Sequence, residues 1–178
     1  MLYIAYGSNI NLAQMAHRCP SAKVAGPADL KGFDLLFRGH RHSAVATVEP
    51  LGGGSVPVLL WHLGKKDEQT LDRYEGWPRL YRKEIHNVEF EGKTRPAMLY
   101  VMNRGHDFGD PSDRYYNTIR EGYKSAGFDT GYLDRAVENS SALALEQDRQ
   151  RYEMDMEPDE LEEMGLDGQI TLFDMRWW

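Results

Sequence analysis

Leu2-Tyr3-Ile4-Ala5-Tyr6-Gly7-Ser8-Asn9 is the stretch on which the fold turns. Five β-prone residues run into Gly-Ser-Asn, so a short strand ends in a tight turn. Asn9 or Asn11 can then cap a helix over residues 12–18, which Pro20 ends. Backbone N–H groups at such a helix start have no intrahelical partner and point into the turn. Glycine lets the backbone come close to a ligand, and Ser8, Asn9 and the free N–H groups are donors, a combination suited to a carboxylate or another small anion. The same tetrapeptide also fits an ordinary strand-to-helix connection with an Asn cap.

Outward from this stretch, residues 25–37 read as a loop followed by a strand over 33–37. Residues 43–48 are β-prone, and Gly52-Gly53-Gly54 reads as a turn or flexible loop. Residues 56–63 are strongly apolar and suit a central strand buried on both faces. Residues 66–74 permit a short helix with Leu71 and Tyr74 on one face, broken by Gly76-Trp77-Pro78. Residues 81–90 alternate as a strand, 91–93 turn, and 95–102 form the partner strand. A helix is expected over 112–126, with Ile119, Gly122 and Tyr123 on one face and Gly127 as its stop. Further short helices follow over 129–137 and 142–156. Five or six short strands with a few helices and no regular βαβ alternation predict an α+β fold, with a mixed, mainly antiparallel sheet that curls into a small barrel with flanking helices.

The chain has 178 residues, enough for one domain with an appended tail. The tail announces itself by charge. Residues 138–178 carry 12 of the 28 acidic residues against three basic ones, a balance of −9, whereas residues 1–137 stand at +2. The expected organisation is a catalytic domain over 1–137 and an acidic C-terminal extension over 138–178. The terminal Trp177 and Trp178 are expected to dock on the domain or to join a homo-oligomer contact. No concentrated basic stripe exists, which argues against nucleic-acid binding. One cysteine, no signal-peptide pattern and no apolar run of spanning length predict a cytoplasmic protein with no membrane association.

Glu75 follows the 66–74 helix and precedes a Gly break, with Tyr74 and Trp77 beside it. Partial desolvation there would raise its pKa toward the range useful for a general base, although a Glu at a helix end is ordinarily a solvated one. Other features carry less chemistry. His40 and His42 share a strand face, but no spacing supplies a third ligand, so no metal site is expected. Cys19 has His17 two residues back but no oxyanion glycine or orienting acid nearby, and reads as a small buried residue. The triple glycine lacks the Lys-Ser/Thr of a phosphate loop.

Three ordered motifs resemble the γ-glutamylcyclotransferase (AIG2-like) family: Tyr6-Gly7-Ser8-Asn9; Leu71-Asp72-Arg73-Tyr74-Glu75-Gly76; and Pro111-Ser112-Asp113-Arg114-Tyr115, followed by Ile119, Gly122, Gly127 and Phe128. The resemblance spans roughly residues 3–133. It implies a small mixed barrel with its pocket at one mouth, and no cofactor. It further implies that the loop of Tyr6, Gly7, Ser8 and Asn9 binds the α-carboxylate end of a γ-glutamyl substrate, that Glu75 is the catalytic acid/base, and that Tyr115 is a pocket tyrosine. The implied reaction is attack of the α-amine on its own γ-carbonyl, which yields 5-oxoproline and releases an amine or amino acid. Residues 76–81 look closer to branches acting on γ-glutamyl amines. The competing expectation is a non-catalytic small-molecule binding module whose tail binds a partner.

Overall fold

The shortest strand holds the centre. Strand β1, Leu2–Ala5, has four residues, and Tyr3, Ile4 and Ala5 are all buried. Strand β3, Val45–His62, pairs with it antiparallel, and β5, Lys93–Met102, lies parallel on its other side. The remaining strands, β2 (Lys23–Arg38) and β4 (Tyr81–Phe90), each pair antiparallel with a neighbour, so the five-stranded sheet is ordered β2-β3-β1-β5-β4. The computed structural model of the chain describes residues 1–156. Successive residues point to opposite faces, and Tyr3, Ile4 and Ala5 are all buried, so both faces of β1 are covered and the strand is apolar or aromatic throughout.

The fold is therefore mixed α+β, but the expected barrel is not formed. Among the described residues β2 and β4 remain edges and share no hydrogen-bond register. Where they approach, the Phe90 ring packs against the backbone of Gly26, 3.1 Å from where a Cβ would stand. A side chain thus occupies the seam that ladder hydrogen bonds would need for closure.

Two other expectations are corrected. Residues 25–32 and Gly52-Gly53-Gly54 are not loops but parts of the long hairpin β2–β3. Lys31 pairs with Ser55 and Phe33 with Pro50, so the glycines sit in a bulge on β3. A Cβ on Gly54 would meet the Phe33 carbonyl oxygen at 2.3 Å, and only glycine lets the bulge close. The glycine signal was real, but it marks a bulge rather than a turn. The two short C-terminal helices are one helix, α4, Thr130–Asp155. Its middle contains Ser140 and Ser141, whose hydroxyls donate to the carbonyls of Ala136 and Val137, so the residues read as a break are accommodated within the helix.

The other helices are α1 (Leu12–Arg18), α2 (Lys65–Tyr74) and α3 (Asp113–Ala126). Ile119 and Tyr123 of α3 and Leu133 and Ala136 of α4 join the sheet in one apolar core. The chain divides into two compact units, Met1–Ala144 and Leu145–Trp178, the division falling within α4. The expected docking or homo-oligomer contact of Trp177 and Trp178 lies outside the described residues. No helix among the described residues is long and apolar enough to cross a membrane.

Candidate active site

The chain leaves β1 through Tyr6 and Gly7 into a 3-10 turn over Ser8–Ile10, closed by Ile10 N–H to the Gly7 carbonyl at 3.0 Å. Of the two candidate caps, Asn11 is the one used. Its Oδ1 accepts from the Gln14 N–H at 3.1 Å and starts α1. Asn9 is thereby left to point elsewhere. Its Nδ2 donates to the Tyr3 hydroxyl and to Glu75 Oε1, both at 2.8 Å.

Glu75 is delivered by the way α2 ends. It is the C-cap residue, and Gly76 follows in the left-handed region with φ +64°. The Gly76 N–H donates to the Arg73 carbonyl at 3.3 Å and the Trp77 N–H to that of Asp72 at 2.9 Å, the paired bonds of a Schellman motif. A residue with a Cβ would be strained at Gly76, so the glycine after Glu75 sets the turn that aims the carboxylate inward. Burial raises the Glu75 pKa to about 7, against the opposing pull of the Asn9 hydrogen bond and the Arg18 charge.

Tyr115 comes from the first turn of α3, which Ser112 caps by accepting from the Tyr115 N–H at 3.3 Å. Its hydroxyl accepts from the Ala46 N–H at 3.2 Å, and Tyr81 donates to the Ala46 carbonyl at 2.7 Å. Gly7 lies against this corner: a Cβ there would stand 3.2 Å from both the Ala46 Cβ and the Tyr115 hydroxyl.

These parts enclose a cleft of about 230 Å³ lined by Tyr6, Gly7, Ser8, Asn9, Glu75 and Tyr115, so every site residue named from the sequence borders one space. That volume lies below the range of drug-sized pockets and suits a small polar molecule. Among the described residues Glu75 is the one carboxylate in its lining, and Tyr3, Tyr74, Tyr81 and Tyr100 share the rest of the wall with Val45, Ala46 and Leu80. Burial, then the Glu75 charge, pushes the Tyr3 and Tyr6 phenols well above their usual range, so they stay neutral donors. A depression of about 410 Å³ beside His62, Glu91 and Arg95 borders none of the named residues.

Sequence reading placed Tyr74 beside Glu75 but did not identify Tyr3, Tyr81 and Tyr100, or Arg18, whose guanidinium bonds to the loop from outside the cleft lining. Tyr3 carried a signal, since it belongs to the strand that feeds the loop. Tyr81 and Tyr100 come from a distant hairpin, and nothing local marks them. Outside the cleft, Cys19 is buried and donates to the Asp67 carbonyl at 3.6 Å; burial lifts its thiol to about 11, the wrong direction for a nucleophile. His40 and His42 are exposed, and no three His, Cys, Asp or Glu side chains converge as a metal site among the described residues.

Comparison with known proteins bears on this arrangement. Residues 3–122 match the family described as "Gamma-glutamyl cyclotransferase, AIG2-like". The chain is 30% identical over 143 residues to the mouse protein named gamma-glutamylcyclotransferase, covering 75% of this chain and 76% of that one. The human protein of the same name is 29% identical over the same length. A solved structure named gamma-glutamyl cyclotransferase superposes with a TM-score of 0.69 at 28% identity, over 76% of this chain and 85% of that one.

Proposed function

The chain belongs to the gamma-glutamyl cyclotransferase, AIG2-like, family of enzymes, and from that premise we propose that it cyclises a γ-glutamyl group to 5-oxoproline. The observation that carries this reading is a lone carboxylate, Glu75, held 2.8 Å from Asn9 in a small cleft and raised to about 7. At neutral pH such a group exists in both protonation states, as a proton shuttle requires.

The α-amine of the γ-glutamyl group is the nucleophile. Its ammonium gives a proton to Glu75, and the nitrogen attacks the γ-carbonyl carbon of the same molecule. The attacking nitrogen gives up a second proton in the tetrahedral intermediate, and a five-membered lactam forms as the bond from that carbon to the leaving nitrogen breaks. The departing nitrogen of the amine or amino acid takes up both protons, one of them returned by Glu75, to leave as an ammonium. The nucleophile is tethered, so the protein's main task is to fold the substrate into a reactive conformer, and a narrow cleft walled by rigid phenols does this. In this reading the backbone of the Gly7–Ser8 segment receives the α-carboxylate, with Tyr115 bounding the same corner. Donors near Gly7 that also meet the tetrahedral oxyanion would contribute a few kcal/mol.

The test is a panel of γ-glutamyl amines and γ-glutamyl amino acids, with 5-oxoproline followed by mass spectrometry. Product from at least one class, and a fall of about 100- to 10,000-fold in kcat/KM for Glu75→Gln, is expected. Stabilisation by a γ-glutamyl compound that is never consumed would instead identify a binding module.

A further inference from the structure

Resting on the reading of Glu75 as the proton carrier, we propose that Arg18 is a positioning residue for that carboxylate, acting through the side-chain amide of Asn9. Arg18 does not line the cleft. From the last turn of α1 its Nη1 donates to Asn9 Oδ1 at 2.7 Å and to Ser8 Oγ at 3.3 Å. Its Nη2 donates to Gln14 Oε1 at 2.9 Å and to the Tyr74 hydroxyl at 2.6 Å, and the guanidinium lies 3.8 Å from the centre of the Tyr74 ring. The planar fork is thus tied to α1, to the loop and to the residue just before Glu75, a set that the single ammonium of lysine cannot hold at once.

Asn9 is 3% exposed, and each of its polar atoms is engaged. Oδ1 takes Arg18, while Nδ2 serves Tyr3 and Glu75. Both amide hydrogens are donated and the oxygen accepts from Arg18, so no polar atom of the side chain is left without a partner. Its orientation is determined by charge. A flipped amide would turn its NH2 toward the guanidinium and its oxygen toward the carboxylate, both unfavourable. Arg18 therefore selects the amide face that Glu75 meets. The arrangement reassigns Asn9: it contributes a donor to Glu75 rather than to the substrate, and the loop meets substrate through its backbone. Arg18 and the Asn9 bond also oppose the effect of burial on Glu75, so without the guanidinium the carboxylate becomes more basic and less fixed.

The experiment is a titration of the Glu75 carboxyl by carbon-13 NMR in protein labelled at the glutamate side-chain carboxyl, with the resonance assigned by its loss in Glu75→Gln. In Arg18→Gln the midpoint is expected to rise by about one unit. The acid limb of kcat/KM should move with it, so that activity lost at neutral pH is largely regained at higher pH. Arg18→Lys keeps the charge but not the fork and should shift the midpoint less. Should Arg18→Gln fail to fold, Arg18→Lys carries the measurement. In an Asn9→Leu background the Arg18→Gln shift should shrink by at least half, because the relay is already cut. An unmoved midpoint in folded Arg18 variants, or turnover lost equally at every pH, overturns the proposal. So does an undiminished shift in the Asn9→Leu background, which would mean that the charge acts directly. The NMR midpoint needs no turnover. A shift as expected in a protein that converts no γ-glutamyl compound leaves the positioning role standing and removes the proposed reaction.

Discussion

Glu75→Gln removes a carboxylate whose effects on stability and on turnover run in opposite directions with pH. Burial raises the group from 4.5 to about 7 in the folded chain. Below 4.5 both folded and unfolded chains hold the proton. Between there and about 7 the folded chain binds it more tightly, so this contribution to stability is full at low pH and is lost as pH rises through the folded value. We predict that Glu75→Gln is more stable than the parent at pH 8 by up to about 3 kcal/mol, with the gap closing toward pH 4, as read from thermal melts across pH. Turnover should behave the other way: the base must be ionised, so the parent's kcat/KM rises through pH 7, and a flat profile there would exclude Glu75 as the base. Gly7→Ala tests the opposite wall. The added methyl meets Ala46 and Tyr115 at 3.2 Å, so we predict a raised KM, measured by steady-state kinetics, and a near-parental melting temperature. Both residues were legible in the sequence because a glycine after a short strand and a carboxylate before a helix-ending glycine are local patterns. Arg18 was not, since its role depends on side-chain contacts to Asn9 and Tyr74 that no spacing along α1 reveals.

Among the elements, α3 bears most directly on the loop. Its Gly122 lies flush on the 3-10 turn: a Cβ there would stand 2.6 Å from Ile10 Cγ2 and 2.8 Å from the Asn11 nitrogen. In an isolated helix alanine would be the better residue, by about 1 kcal/mol. Here the contact reverses the sign, and we predict that Gly122→Ala costs about 1–3 kcal/mol by urea unfolding and lowers kcat/KM by shifting the turn that carries Ser8 and Asn9. Unchanged stability would show that α3 can move away without cost. Asn11 joins the same contact, its Nδ2 donating to the Thr118 carbonyl at 3.0 Å. The limits of α3 were readable from Ser112 and Gly127, which cap it locally. The bulged β2–β3 hairpin was misread because a glycine run marks a turn only when no neighbour requires it, and α4 was divided at 138–141 because a change of composition there does not by itself end a helix. In the folded chain Phe33 needs Gly54, and the Ser140 and Ser141 hydroxyls find carbonyls one turn back.

At the scale of the whole molecule, β1 joins the two halves of the sheet, and the cleft opens where it ends. Ile4 is fully buried there between β3 and β5. We predict that Ile4→Ala costs about 2–5 kcal/mol, seen as a lower urea midpoint, with cleft ligand binding lost in the same transition as secondary structure. Loss of binding well before unfolding would mean that the loop is not anchored by the strand. The sequence by itself determined the element types over most of the chain and the α+β class, since periodicity, capping and turn chemistry act within a few residues. It offered the loop and Glu75 as candidates, and Tyr115 came only from the ordered motifs that resemble the family. Tertiary structure alone decided the strand order, the open edges where Phe90 packs on Gly26, the enclosing tyrosines and the Arg18–Asn9–Glu75 chain. Asn9 and Glu75 lie 66 positions apart and meet at 2.8 Å only because the sheet brings the end of α2 to the end of β1. The loop's own residues left it either a ligand-facing turn or an ordinary strand-to-helix connection, whereas the partner of its asparagine depended on which distant side chains folding set against it.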